Sequence, residues 1–209
     1  MASKYFIKIC GITSVDDAKM CIASGATAIG FNFFRQSKRY IDPAEAKIIA
    51  DQVRNEIQIV GLFVNEDVNR VKEIAAHVKL TYCQFHGDEA ADEVNMFGNA
   101  IKAFRVDDSI RNVHFDDYKT SMFLFDAFDE KEYGGTGKSF NWLIAREANE
   151  FGKIIVAGGL DSENVAEAIS IAQPWGVDVS SGVEREPGKK DLQKVQSFVG
   201  NARAAFSML

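Results

Sequence analysis

Short apolar runs alternate with helix-period stretches along the whole chain, and this alternation restricts the fold more than any other feature. Strand candidates fall at 6–10, 28–33, 57–63, 81–85, 100–105, 122–126, 153–157 and 177–180. Helix candidates lie between and after them, at 14–24, 43–54, 68–78, 90–97, 141–151, 162–172 and 191–206. The connection around 109–118 has the weakest pattern. Several helix starts carry caps: Ser14 with Asp17 three residues on, Asp42 before Pro43, and Ser162 after Asp161. Strand–helix–strand repetition implies parallel pairing through helical crossovers. Eight strands at this spacing fit a closed (β/α)8 TIM barrel better than an open sheet. A doubly wound sheet stays possible, but the G-x-G-x-x-G turn of a dinucleotide fold is missing after the first strand. At 209 residues, with three prolines and no Ser/Gly-rich linker, the expectation is one barrel domain over 1–209, near the roughly 200-residue lower limit for this architecture.

Composition narrows the partners. The chain is 46% hydrophobic and 26% charged, the balance of an ordinary globular protein. A formal net charge of −6 gives no support to a nucleic-acid partner, yet is compatible with an anionic small substrate, because a site's field is local. No apolar stretch reaches the roughly 18 residues of a membrane span, and the N-terminus lacks a signal peptide's apolar core. The three cysteines, Cys10, Cys21 and Cys83, are widely spaced and odd in number, which favours reduced thiols and a cytoplasmic location over disulfides or a zinc site. Sixteen phenylalanines could fill a core or cover an interface, so the sequence leaves monomer and homodimer both open.

In a (β/α)8 barrel the chemistry sits where strands end, and the chemically interesting residues of this chain gather there. The seventh strand runs into Gly158-Gly159, and the eighth into Ser180-Ser181-Gly182. Two such turns of small residues let backbone N–H groups converge on a phosphate. At the end of the first strand, alternation turns Lys8 and Cys10 to the barrel interior. Cys10 then reads either as a small core thiol or as a functional one, its thiolate favoured by Lys8 and the following helix. Asp126, closing the sixth strand, is either a cap or a functional carboxylate, since a desolvated carboxylate needs a job or a partner. Gln84 and His86 have parity toward the mouth, and a lone histidine is more often structural. His77 and His114 lie in helix or loop contexts, and Cys21 and Cys83 read as packing residues. The loop Arg35-Gln36-Ser37-Lys38-Arg39-Tyr40 is a solvated turn or a clamp for a carboxylate. The glycine-rich stretch 133–138 is a lid or a plain flexible turn.

Taken in order, KICGIT from Lys8, GFNFFRQSKRYI from Gly30, GLFVNE from Gly61, QFHGDE from Gln84, LFDA from Leu124, YGGTGKSFNW from Tyr133, VAGGLDSENV from Val156 and GVDVSSGVEREPGKKD from Gly176 resemble the phosphoribosylanthranilate isomerase family of tryptophan biosynthesis. The resemblance implies an Amadori rearrangement of N-(5-phosphoribosyl)anthranilate to 1-(2-carboxyphenylamino)-1-deoxyribulose 5-phosphate, with no metal and no organic cofactor. It implies Asp126 as general acid and Cys10 as general base: a carboxylic acid held partly protonated and a thiol held partly ionised serve near neutral pH. It places the substrate's carboxylate on Arg39 and its phosphate on Gly158, Gly159, Ser180, Ser181 and Gly182. It sets Asp178 beside the sugar hydroxyls or the acid–base pair, with Gln84 and His86 as polar walls. Asn32, Arg35-Gln36 and the residues flanking Asp126 depart from the family's commoner pattern. Two rivals remain. One is the histidine-pathway isomerase on the same fold, whose first-strand base is an aspartate and whose half-barrels each carry a phosphate site. The other is a non-catalytic phosphosugar-binding barrel, which would not need Cys10 and Asp126 together.

Overall fold

The computed structural model describes residues 5–106, 109–111, 113–120, 122–127 and 142–209. The elements are β1 (Phe6–Cys10), α1 (Val15–Ala23), β2 (Ala28–Asn32), α2 (Pro43–Val53), β3 (Gln58–Phe63), α3 (Val68–Val78), β4 (Tyr82–Phe85), α4 (Ala91–Val94), β5 (Ala100–Val106), β6 (Met122–Ala127), α5 (Trp142–Glu147), β7 (Lys153–Ala157), α6 (Val165–Ala172) and β8 (Gly176–Val179). A short hairpin, β9 (Glu184–Glu186) with β10 (Lys189–Lys190), and α7 (Leu192–Phe206) complete the chain. Strands β1 to β8 pair in sequence order, all parallel, and β8 closes on β1. The closed (β/α)8 barrel read from the alternation is therefore the fold.

Side-chain alternation separates two apolar layers. Inside the barrel, Ala28, Val60, Ile101, Leu124 and Ile155 pack with Phe6. At the N-terminal end Phe6 stacks on Trp175 at 4.9 Å and meets the edge of Tyr82 at 6.2 Å, plugging the bottom with aromatic surface. Outside, between sheet and helices, lies the larger core. There Phe33 stacks on Phe63 at 5.3 Å, Phe63 meets Phe85 at 6.3 Å, and Phe85 meets Phe97 at 5.0 Å. Phe33, Phe63 and Phe85 are buried, each stabilising the fold by about 1.5–3 kcal/mol, and the partly buried Phe97 packs against them. Among the described residues no helix is long and apolar enough to cross a membrane.

The caps on Ser14 and Asp42 form: Ser14 accepts from the amide of Asp17, and Asp42 from that of Ala44. Three helical expectations shift. Helix α6 starts at Val165 rather than 162, because Asp161 Oδ1 accepts from the amides of Glu163 and Asn164 and holds them in a turn. Helix α4 is one turn, not the span 90–97; the side chain of its C-cap Asn95 donates to the Asp117 carbonyl and accepts from the Lys119 amide. The weak connection near 109–118 contains one 3-10 turn, Phe115–Asp117. The glycine-rich stretch at 133–138 lies outside the described residues.

Candidate active site

The C-terminal ends of the strands bring together most of the residues singled out in the sequence. On β1, Lys8 and Cys10 point into the barrel. Lys8 is in register with Asp178 of β8, and Lys8 Nζ donates to Asp178 Oδ2 at 2.6 Å, with both side chains buried. Burial alone would lower the Lys8 pKa, but Asp178 and, after it, Cys10 together outweigh it and hold the ammonium above its ordinary value. Burial pushes the Asp178 carboxyl up, and Lys8 is the main force pulling it back. The second oxygen, Asp178 Oδ1, is buried and has no partner among the described residues, so it is left to meet whatever enters the barrel mouth.

Cys10 corrects the sequence reading. Burial pushes its thiol above the ordinary value; Lys8 pulls down against that burial and Asp178 adds to the rise. The thiolate is thus not favoured at this depth in the barrel, although the cation expected to favour it is in place. Room for the sulfur comes from Gly30, its register partner on β2. A methyl group there would lie 2.8 Å from Cys10 Sγ and 2.9 Å from Lys8 Cε, too close for either to stay. Cys21 and Cys83 behave as packing residues, with burial pushing both thiols up to about 12.

Asp126 stands on β6, three strands from β1 by way of β7 and β8, and so across the mouth from Cys10. Its Oδ2 lies 2.9 Å from His86 Nε2, and His86 Nδ1 lies 3.0 Å from Gln84 Nε2. Gln84 is fully buried. His86 is therefore tied to the candidate acid.

Arg39 grips a carboxylate, but one the sequence had not offered. Its Nε donates to Glu184 Oε1 at 2.9 Å and its Nη2 to Glu184 Oε2 at 2.7 Å. Buried Lys190 donates to Glu184 Oε1 at 2.8 Å and to the carbonyl of Ser180 at 3.2 Å. Burial would raise the Glu184 carboxyl, yet Arg39 and Lys190 outweigh it and hold it below the usual range. Hairpin β9–β10 thus couples the basic loop to the turn after β8. Asn32 sits in the same construction: its Nδ2 donates to Ser37 Oγ, which also accepts from the Arg39 amide.

The two small-residue turns meet. Gly158 and Gly159 have φ of +81° and +62°, and the space a side chain of Gly159 would occupy is open. A methyl group on Gly182 would lie 2.0 Å from the carbonyl oxygen of Leu160, so the turns after β7 and β8 touch only because residue 182 is glycine. Among the described residues the amides of Gly159, Ser181 and Gly182 donate to no protein acceptor. Amides without a protein acceptor on two touching glycine-bearing turns are what a phosphate group needs. Gly182→Ala should therefore push the turns apart and raise KM roughly 10- to 100-fold, the cost of misaligned charge-assisted bonds, with a smaller change in kcat; steady-state kinetics and competition by inorganic phosphate would measure this.

Sequence reading missed Gly30, Glu184 and Lys190. The Pro187-Gly188 dipeptide between charged residues signalled the hairpin that carries the last two; nothing local marked Gly30. Among the described residues no group of three or more His, Cys, Asp or Glu side chains could hold a metal ion.

Comparison with known proteins gives one answer. The family model for N-(5'-phosphoribosyl)anthranilate (PRA) isomerase matches residues 7–201. The N-(5'-phosphoribosyl)anthranilate isomerase of Trichlorobacter lovleyi is 47% identical over 201 residues, covering 95% of this chain and 98% of the relative. The crystal structure of phosphoribosyl anthranilate isomerase from Thermotoga maritima superposes with a TM-score of 0.86 at 36% identity, over 96% of this chain and 99% of that one. A second such structure, in complex with reduced 1-(o-carboxyphenylamino)-1-deoxyribulose 5-phosphate, gives 0.84 at 34% identity, with 96% and 99% covered.

Proposed function

Because this chain belongs to the N-(5'-phosphoribosyl)anthranilate isomerase family, we propose that Cys10 and Asp126 are the base and acid with which it isomerises that substrate. The activity is an isomerisation within tryptophan biosynthesis. The observation that carries the residue assignment is the placing of one thiol and one carboxylate on opposed strand ends, above a mouth lined by Asp178 and the paired glycine turns.

The phosphate of the substrate sits on the amides of Gly159, Ser181 and Gly182, with Gly158 and Ser180 shaping the turns. Its carboxylate meets Arg39, whose guanidinium Glu184 orients. Asp126 then delivers a proton to the furanose ring oxygen. The C1–O bond breaks as the nitrogen lone pair forms the C1=N iminium. Cys10 takes the proton from C2, the C2–H electrons form C1=C2, and the nitrogen is neutralised as an enolamine. That species tautomerises to the ketone. Asp178 Oδ1 is placed to accept a sugar hydroxyl, and Gln84 and His86 stand behind Asp126. Lifting the Cys10 thiol lowers the fraction ionised but makes the thiolate a stronger base toward carbon. Three free, buried cysteines suit a reducing compartment, so we place the enzyme in the cytoplasm, acting on a phosphorylated small molecule.

The test is turnover of N-(5'-phosphoribosyl)anthranilate by the intact chain, followed by loss of substrate fluorescence, with the product's new ketone carbon at C2 identified by 13C NMR. A folded protein that binds inorganic phosphate but never produces the ketone would instead be a binding module.

A further inference from the structure

We propose that His86 is a positioning residue for the acid, and that Gln84 fixes the tautomer in which it does so; this rests on the reading of Asp126 as that acid. The argument is one of donors and acceptors. With Gln84 Nε2 donating to His86 Nδ1 at 3.0 Å, the ring carries its single proton on Nε2. That proton points at Asp126 Oδ2, 2.9 Å away. Asp126 Oδ1 makes no hydrogen bond among the described residues. One carboxyl oxygen is thereby held by the protein and the other is turned to the substrate. When Oδ1 gives up its proton to the ring oxygen, the carboxylate that forms already has a donor on Oδ2. The bond becomes charge-assisted at the moment charge appears, which favours the transition state over the ground state.

The surroundings hold the arrangement still. Gln84 is fully buried on β4, and the His86 amide donates to the Phe63 carbonyl at 2.9 Å. The next residue is tied down by a buried ion pair. Glu89 accepts from the amides of Gly87 and Asn65, while Lys102 donates to Glu89 at 2.7 Å and to the Gly87 carbonyl at 2.6 Å. His86 therefore has a fixed backbone on both sides and a fixed ring. A side chain serving only as a wall for substrate would not need a buried amide dedicated to its far nitrogen.

The experiment compares His86→Ala, His86→Gln, Gln84→Leu and Asp126→Asn in the intact chain, with thermal unfolding to confirm folding. His86→Ala should lower kcat about 10- to 100-fold with KM within roughly twofold, the loss of one charge-assisted bond. His86→Gln keeps an N–H donor where Nε2 stood and should recover most of kcat. In 15N NMR the wild-type ring should be protonated on Nε2 and bare on Nδ1, and Gln84→Leu should mix the two tautomers while lowering kcat. A rise in KM with kcat intact would make His86 a substrate contact and overturn the proposal. Equal loss in His86→Ala and His86→Gln would mean that the ring itself transfers the proton, which also overturns it. If Asp126→Asn is inactive while His86→Ala keeps the wild-type kcat, the positioning role fails and the acid stands. If Asp126→Asn stays active, the acid assignment itself has failed.

Discussion

Cys10→Ser should lower kcat by about a hundred- to ten-thousandfold, the usual contribution of a general base, while leaving affinity for inorganic phosphate unchanged. Serine matches the thiol in shape, so the space left by Gly30 stays filled and the turns after β7 and β8 are untouched. What changes is acidity: a buried hydroxyl does not ionise near neutral pH. Asp126→Asn should fall by a similar factor for the complementary reason, since an amide cannot give up the proton the ring oxygen needs. The wild-type pH profile follows from the direction of the Cys10 shift. Burial lifts the thiol above its ordinary value, so the ionised fraction grows tenfold per unit as pH rises, and kcat/KM should climb from about pH 7 to beyond about pH 9. A kcat/KM profile already flat at pH 7 would mean that Cys10 is not the base, since kcat/KM reports the free enzyme. Full activity in Cys10→Ser would leave the isomerase standing and remove Cys10 from its mechanism.

The barrel was legible because its cause is local. Apolar runs a few residues long, separated by helix-period stretches, have few other solutions, and β1, α3 and β7 fall at the residues expected. The place of Cys10 and Asp126 at strand ends was legible from position, and the inward turn of Cys10 from parity. What the sequence hid is decided by residues far apart in the chain. The partner of Arg39 lies 145 positions away on a hairpin, and the need for glycine at position 30 comes from a sulfur on the neighbouring strand. The ionisation of Cys10 went the wrong way for the same reason. Sequence shows the lysine two residues below, but the depth of burial that outweighs it is a property of the assembled barrel. His86 looked ordinary because neither Gln84 nor Asp126 announces that its side chain reaches the same ring.

Lys8→Met should destabilise the protein by about 3–5 kcal/mol, because it leaves Asp178 buried without its counter-charge. For a chain of this length that is a fall in Tm of roughly 6–20 °C. The pair's contribution has a definite pH window. Lys8 is held above its ordinary value in the folded state, so its share of the stabilisation is fully present below about pH 10.4 and is lost as pH rises through the folded value. Burial holds the Asp178 carboxyl above its ordinary value, so the ion pair itself is lost as pH falls through that folded value. At pH 7 the substitution should therefore show its whole effect. Stability and chemistry can then be separated. In Lys8→Met with Asp178→Leu no charge is left stranded, and most of the lost Tm should return. Activity should not return with it. Lys8 is the strongest force drawing the Cys10 thiol down against burial, so without it the rise of kcat/KM should move to still higher pH in both variants. A double variant that recovered activity along with Tm would show that Lys8 serves only packing. A single variant with unchanged Tm at pH 7 would mean that Asp178 is uncharged there once its lysine is gone. Recovery of Tm with the rise of kcat/KM moved to higher pH would assign the two halves of the pair different work: Asp178 needs Lys8 in order to be buried, and Cys10 needs Lys8 in order to ionise. A loss of activity without that shift would fall to the missing Asp178.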